Sequence, residues 1–160
     1  MKLSYRNYIT PNDYEAVYVL LEKSGFFFES EINICLQMME ETIEYDNEKS
    51  DYHWLIVEGD NNVVGFACFG KNIMTKDSWE IFWVAVEKRH KDKGIGSLIL
   101  KEVERIAMGS RANRIWIQTS GKTKFNPTTL FFESKEYEKI ASLPDFYAEG
   151  DPKVIFNKIL

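Results

Sequence analysis

The stretch that decides the fold is Glu80–Leu100, EIFWVAVEKRHKDKGIGSLIL, in which an apolar run leads through a cationic loop into a second apolar run. Its first part is aromatic and β-branched, which predicts a strand that lies central in a sheet and is buried on both faces. Its last part repeats apolar residues at helical spacing and predicts a helix from about Gly94 to Met108. The loop between them carries four cations and two glycines, although the chain has a formal net charge of −5. Such a loop is either a solvated turn or a binding site for an anion.

The segments on both sides of this stretch predict a mixed α/β fold. Upstream, the patterns predict a strand over 2–9, helices over about 10–25 and 31–45, and strands over 53–59 and 63–70 joined by a hairpin. Downstream, they predict a strand over 114–120, a short helix from Asn126, and strands near 137–142 and 153–159. The order β-α-α-β-β-β-α-β-α-β-β indicates one mixed central sheet flanked by helices on both faces. At 160 residues, we expect a single domain over 1–160.

Composition excludes several classes of protein. The acidic balance argues against a nucleic-acid partner, which would need a basic face. No apolar run is long enough to span a bilayer and the first residues lack a signal-peptide core, so we expect no membrane partner. Cys35 and Cys68 stand in apolar stretches and form no paired motif, which predicts buried free thiols and a cytoplasmic protein.

Three phosphate-binding motifs compete for the glycines. A dinucleotide fingerprint would need a third glycine where Ile99 stands, and a P-loop ending at Gly121-Lys122-Thr123 would need a glycine where Trp116 stands. We reject both. The remaining interpretation is a pyrophosphate cradle, in which Gly94 and Gly96 let backbone N–H groups approach the phosphates and the helix N-terminus and lysines add positive charge.

Residues 91–96, KDKGIG, resemble motif A of the GNAT superfamily of acetyl-CoA-dependent N-acetyltransferases, which reads Gln/Arg-x-x-Gly-x-Gly/Ala after an apolar strand. Lys91 stands in the Gln/Arg place and keeps the cation without its bidentate geometry. The order of elements also resembles the GNAT fold, and NPTTLFFESKEY at 126–137 is similar to the family's Asn-x-x-Ala…Phe-Tyr-Glu-x-x-Gly-Phe segment. The resemblance therefore covers the whole chain.

The resemblance implies an acetyl-CoA site. Backbone groups of Val84, Ala85 and Val86 would bind the pantetheine arm. The pyrophosphate would lie in a cradle formed by Lys91, Asp92, Lys93, Gly94, Ile95, Gly96 and Ser97. Asn126 matches the family's Asn and would touch the cofactor, or it is an N-cap before Pro127, or both. No metal is implied.

The implied reaction is direct transfer to an amine, with Glu80 as a base that acts through a water. The alternative is that Glu80 is an exposed residue at a strand end. The family's general acid is a tyrosine, but Phe132 stands in its place and has no hydroxyl. His53 and His90 have no identifiable partner and are interpreted as surface or structural residues.

The acceptor is expected to be a primary amine of a small molecule or peptide. By the resemblance, Phe27 could pack on an apolar acceptor, Glu31 could attract its ammonium, and Tyr147 would face it or replace the missing acid. The alternatives are a core phenylalanine and solvated acids. A second function class is a non-catalytic acyl-CoA-binding module, which Phe132 favours, whereas Glu80 and the glycines favour an enzyme. The chain could also form a homodimer.

Overall fold

The computed structural model describes residues 1–160 and contains seven strands and four helices. The strands are β1 (Leu3–Arg6), β2 (His53–Gly59), β3 (Asn62–Lys71), β4 (Ser78–Val86), β5 (Arg114–Ser120), β6 (Glu138–Ala148) and β7 (Asp151–Ile159). The helices are α1 (Tyr14–Ser24), α2 (Glu29–Tyr45), α3 (Ile95–Gly109) and α4 (Asn126–Ser134). The sheet order is β1-β2-β3-β4-β5-β7-β6, with β4 central and β4–β5 the parallel pair. The predicted α/β class with a mixed sheet is confirmed.

The chain divides into two compact units. The first comprises Met1–Gly70 and Phe82–Arg105, and the second comprises Lys71–Ile81 and Ile106–Leu160. The prediction of one domain over 1–160 stays a prediction. No helix is both long and apolar enough to cross a bilayer.

In the first unit, β2 pairs antiparallel with both β1 and β3, and α1 and α2, which connect β1 to β2, share a hydrophobic core with β2 and β3. The predicted hairpin is present: Asp60 and Asn61 connect β2 to β3 with φ of 51° and 65°, as a two-residue hairpin turn requires. Trp54 and Phe66 stack with ring centroids 6.2 Å apart inside this core. Cys35 and Cys68 are fully buried free thiols, as predicted, and burial raises the pKa of both.

The entry to α1 is fixed by a buried ion pair. Thr10 and Asp13 form a capping box around a 3-10 turn at Pro11–Asp13. The Asp13 carboxylate accepts hydrogen bonds from the Thr10 backbone N–H at 2.8 Å and from the Arg6 guanidinium at 2.6 and 2.9 Å. Burial alone would raise the pKa of Asp13, but the hydrogen bonds from Arg6 and Thr10 outweigh it and hold that pKa below its ordinary value.

In the second unit, β5 pairs in parallel with the start of β4 and antiparallel with β7, and β7 pairs with β6. Helix α4 packs Phe132 against Phe156 and Tyr137, with ring centroids 5.8 and 6.1 Å apart. The helix ends in a Schellman motif: Tyr137 N–H donates to Phe132 O and Glu136 N–H to Glu133 O. Glu136 takes the left-handed conformation there, with φ of 69°.

Two expectations about strands were wrong. Strand β4 is not buried on both faces, because Trp79, Ile81 and Ala85 are buried while the residues between them are only half-buried. Aromatic and β-branched residues are favoured in strands whether one face or both faces are buried, so the composition predicted the strand but not its degree of burial. Strand β6 is also longer than expected, and it turns into β7 at Glu149–Gly150, where Gly150 has φ of 75°.

Candidate anion-binding and catalytic site

The loop after β4 presents a set of free backbone donors. A 3-10 turn at Lys88–His90 follows the strand, and Gly94 then takes a left-handed φ of 81°, which favours glycine. The first bond of α3 runs from Leu98 N–H to Gly94 O at 2.9 Å. The N–H groups of Gly94, Ile95, Gly96 and Ser97 therefore have no acceptor within the protein. No heavy atom lies within 4 Å of where a Cβ of Gly94 would stand, so an anion with several oxygens has both room and donors.

The basic side chains at 89–93 divide into two groups. Arg89 Nη2 lies 2.6 Å from Glu87 Oε1, and His90 Nδ1 lies 2.7 Å from Glu87 Oε2. The bond from Arg89, followed by that from His90, lowers the pKa of Glu87. The expectation that His90 lacks a partner was wrong. Lys91 and Lys93 are exposed and form no ion pair, so their charges remain available to an anion.

Asp92 stands between these two lysines and is exposed. It has φ of 67° and, unlike Glu87, no cationic partner. Its N–H group also has no acceptor within the protein. The sequence grouped Asp92 with the cradle but carried no sign of this conformation.

The end of β4 is fixed against β3. Glu87 N–H donates to Val64 O at 2.8 Å, and a Cβ on Gly65 would stand 3.2 Å from Ala85 O and 3.0 Å from a methyl of Ile95. Gly65 therefore permits the close approach of β3 to β4 and α3. Val84 and Val86 are half-buried and Ala85 is buried. The register with β5 ends at Ile81, so the backbone of these three residues lies beyond the registered pairing.

Glu80 lies opposite Trp116 in the β4–β5 register and is half-buried. Gln118 Nε2 donates to Glu80 Oε1 at 3.4 Å. The sequence missed Gln118, and the only signal for it would have been the pairing of two strands far apart in the chain. The carboxylate thus has one amide partner and is partly open to solvent.

Phe27 lies in the connection between α1 and α2 and contacts β4. Its ring centroid is 5.2 Å from that of Trp83 and 6.1 Å from that of Phe26. Trp83 Nε1 donates to Met38 Sδ at 3.2 Å. Glu31 is half-buried in the first turn of α2. Trp83 is a second residue that the sequence did not single out, because it looked like any other apolar residue of the strand.

In the second unit, the predicted residues lie on separate elements. Tyr147 is on β6, 37% exposed, with its ring 5.2 Å from Phe146. Asn126 is exposed and is not an N-cap, because Phe125 occupies the N-cap position of α4. The 3-10 turn Thr123–Phe125 leads directly into α4, so that Asn126 is already helical, with φ of −52°. Its role toward a cofactor stays a prediction.

Phe132 is only 3% exposed and belongs to the aromatic core described above. No group of three or more His, Cys, Asp or Glu residues is arranged to hold a metal ion.

Comparisons with known proteins agree with this geometry. The model of the acetyltransferase (GNAT) family matches residues 17–126. A GNAT-family protein from Desulfovibrio desulfuricans is 26% identical, with a TM-score of 0.91 and 99% of each chain covered. Ard1 from Thermoplasma volcanium is 18% identical, with a TM-score of 0.81, 100% of this chain and 99% of that chain covered. YncA from Salmonella typhimurium, solved with its cofactor acetyl-CoA, is 15% identical, with a TM-score of 0.76, 100% of this chain and 95% of that chain covered. No curated protein matches significantly.

Proposed function

The chain belongs to the GNAT family of acetyltransferases, and we propose that it moves an acetyl group from acetyl-CoA directly to a primary amine of a small molecule or peptide. The observation that carries the proposal is the row of unpaired N–H groups from Gly94 to Ser97 at the start of α3. The acetyl-CoA bound to YncA, a protein of the same fold, supports the choice of cofactor.

The loop residues fit the pyrophosphate of acetyl-CoA. Gly94, Ile95, Gly96 and Ser97 would donate backbone hydrogen bonds to it, and the positive end of α3 adds to the attraction. Lys91 and Lys93 would add charge without fixed geometry, because their ammonium groups are exposed and unpaired. The backbone of Val84, Ala85 and Val86 lies beyond the registered pairing with β5, which supports its assignment to the pantetheine arm. Asn126, exposed at the start of α4, is proposed as a further contact.

The bound cofactor would supply an acetyl thioester. Glu80 would take a proton from the acceptor ammonium through a water, so that the amine has a free lone pair for attack on the carbonyl carbon. The amide of Gln118 would hold the Glu80 carboxylate in one orientation. The thiolate of coenzyme A would then leave, which is tolerable without an acid because a thiol has a reference pKa of about 8.5.

For the acceptor, we propose contacts with Phe27, Glu31 and Tyr147. Phe27 and Trp83 give an aromatic surface in the first unit, and Glu31 adds a carboxylate that would attract an ammonium. Tyr147 presents a partly exposed ring and hydroxyl on β6. A cytoplasmic location and a homodimer stay predictions.

Phe132 is the feature that favours a non-catalytic binding module. Its place is where the family's general acid is expected, and a buried phenyl ring packed on Tyr137 and Phe156 cannot donate a proton. General acid catalysis is typically worth ~10²–10⁴-fold, so its loss slows transfer without abolishing it. We therefore favour the enzyme.

The deciding experiment is a thiol-release assay with acetyl-CoA and a panel of amines, amino acids and peptides. The proposal expects at least one acceptor to release thiol faster with the protein than without it, with the acetylated amine identified by mass spectrometry. The variant Phe132→Tyr, which restores the missing hydroxyl, is assayed beside the wild type. If no acceptor is acetylated by the wild type and Phe132→Tyr alone is active, the binding-module function is the correct one.

A further inference from the structure

Asp92 combines three properties that set it apart from the rest of the loop. It has a left-handed φ of 67°, which glycine adopts freely and which carries some strain for a residue with a Cβ, less for Asp and Asn than for most. Its side chain is exposed between two free lysines. It makes neither an ion pair nor a hydrogen bond, whereas the other carboxylate of the loop, Glu87, forms an ion pair with Arg89 and lies 2.7 Å from His90 Nδ1. Asp92 is thus an unpaired negative charge beside a row of free N–H donors.

A carboxylate in that place repels a pyrophosphate. The backbone N–H of Asp92 has no acceptor and, like those of residues 94–97, could donate a hydrogen bond to an anion. The negative charge of its side chain works against that binding. At a separation of about 7 Å in water, each pair of unit charges interacts by roughly 0.6 kcal/mol before screening. Lys91 and Lys93 attract the same phosphates, so the loop stays attractive overall and the Asp92 carboxylate subtracts from that attraction.

We propose that Asp92 sets the cofactor affinity by repulsion: its carboxylate weakens the binding of both acetyl-CoA and the coenzyme A product through their common phosphates. This inference rests on the proposed function. Since substrate and product carry the same phosphates, the repulsion acts on them equally. The effect is a shorter occupation of the site by coenzyme A after transfer, and weaker inhibition by that product.

The test is calorimetric titration of coenzyme A, and of pantetheine as a probe without phosphate, into the wild type and Asp92→Asn. Asparagine also tolerates the left-handed conformation, so this change removes the charge and little else. We expect Asp92→Asn to bind coenzyme A about threefold to tenfold more tightly at low salt, with the gain shrinking at high salt. Pantetheine should bind both forms equally.

Asp46→Asn is the matched control. Asp46 is an exposed aspartate with a positive φ of 78° at the C-cap of α2 in the same unit, so the variant removes the same charge from another exposed position with positive φ. Its coenzyme A affinity should equal that of the wild type. A second variant, Asp92→Gly, removes both charge and strain and should bind at least as tightly as Asp92→Asn while melting at a higher temperature.

The outcomes separate this inference from the function on which it rests. If the wild type binds coenzyme A and Asp92→Asn binds it equally or more weakly, the repulsion is refuted and the proposed function stands. If pantetheine gains as much as coenzyme A, or if Asp46→Asn gains as much as Asp92→Asn, a local charge effect on the phosphates is also refuted. If no form binds coenzyme A, both proposals fail together.

Discussion

Gln118 on β5 donates a hydrogen bond of 3.4 Å to the Glu80 carboxylate on β4 and lies two residues beyond Trp116, the residue opposite Glu80. This contact gives the predicted base a fixed partner within the sheet. It also leaves the second carboxylate oxygen of Glu80 without a protein donor, and therefore open to water.

Glu80→Gln keeps the size of the side chain and removes the base. We expect turnover to fall by about 10²-fold or more at neutral pH, while the affinity for acetyl-CoA stays the same because the base acts on the acceptor. The fall should be smaller at high pH, where the amine is already free. Steady-state kinetics and calorimetry measure the two quantities, and wild-type turnover in the variant at neutral pH would exclude Glu80 as the base.

Gly94→Ala tests the cradle. Gly94 and Gly150 share a left-handed φ, 81° and 75°, and neither would place a Cβ within 4 Å of another atom. Alanine should therefore destabilise the protein by about 1 kcal/mol at either position. Only Gly94→Ala should weaken the binding of coenzyme A, because its Cβ would occupy the space left for the phosphates. The loss should be about tenfold or more, since one charge-assisted hydrogen bond is worth about 1.5–3 kcal/mol. Equal affinities for both variants would place the phosphates elsewhere.

Lys91→Met and Lys93→Met test whether the lysines act as charges. Each should weaken coenzyme A at low salt and lose that effect as salt screens the exposed ammonium groups. Binding of pantetheine should not change. Lys139→Met, at an exposed position on β6, is the control and should leave affinity as in the wild type. A loss that persists at high salt would show that the lysines make more than a Coulombic contribution.

Asp13→Asn tests the buried ion pair with Arg6 through pH. Because the folded state lowers the pKa of Asp13, its carboxylate stabilises the protein above the unfolded pKa of about 4, and this stabilisation is lost as pH falls through the folded value. Urea unfolding should show the variant to be less stable at neutral pH, with a difference that narrows below about pH 4. Asp60→Asn, in the exposed hairpin turn, should match the wild type throughout. A difference that stays constant into acid would contradict the assignment.

Glu136→Gly should stabilise the protein. Glu136 takes φ of 69° at the position after the C-cap of α4, where glycine avoids the strain, so we expect a gain of about 1 kcal/mol. The ion pair it gives up, 3.8 Å from Lys158 Nζ and with 86% of the Glu136 side chain exposed, contributes little. Glu136→Ala keeps the strain and should not gain. Thermal melting compares the three proteins, and equal stabilities would show that the strain is absorbed elsewhere.

The sequence predicted what depends on local patterns. The hairpin at Asp60-Asn61 and the bounds of β2 and β5 follow from turn chemistry and alternation, and both match the structure. It did not predict features that depend on where separate segments meet. The partner of His90, the amide of Gln118 beside Glu80, and the left-handed backbone of Asp92 each require a folded loop or a strand register. The predicted N-cap at Asn126 was wrong for a related reason: a 3-10 turn precedes α4, and no sequence pattern indicated that turn.

The two buried cysteines have a practical consequence. Cys35 and Cys68 are closed to solvent and burial raises the pKa of both thiols, so neither offers a thiolate to an aromatic disulfide reagent while the protein is folded. A colour change in an assay with such a reagent would then come from released coenzyme A alone. Conversely, any slow labelling of the protein itself would report the opening of the core between α2 and β3, so the chain carries its own probe of unfolding.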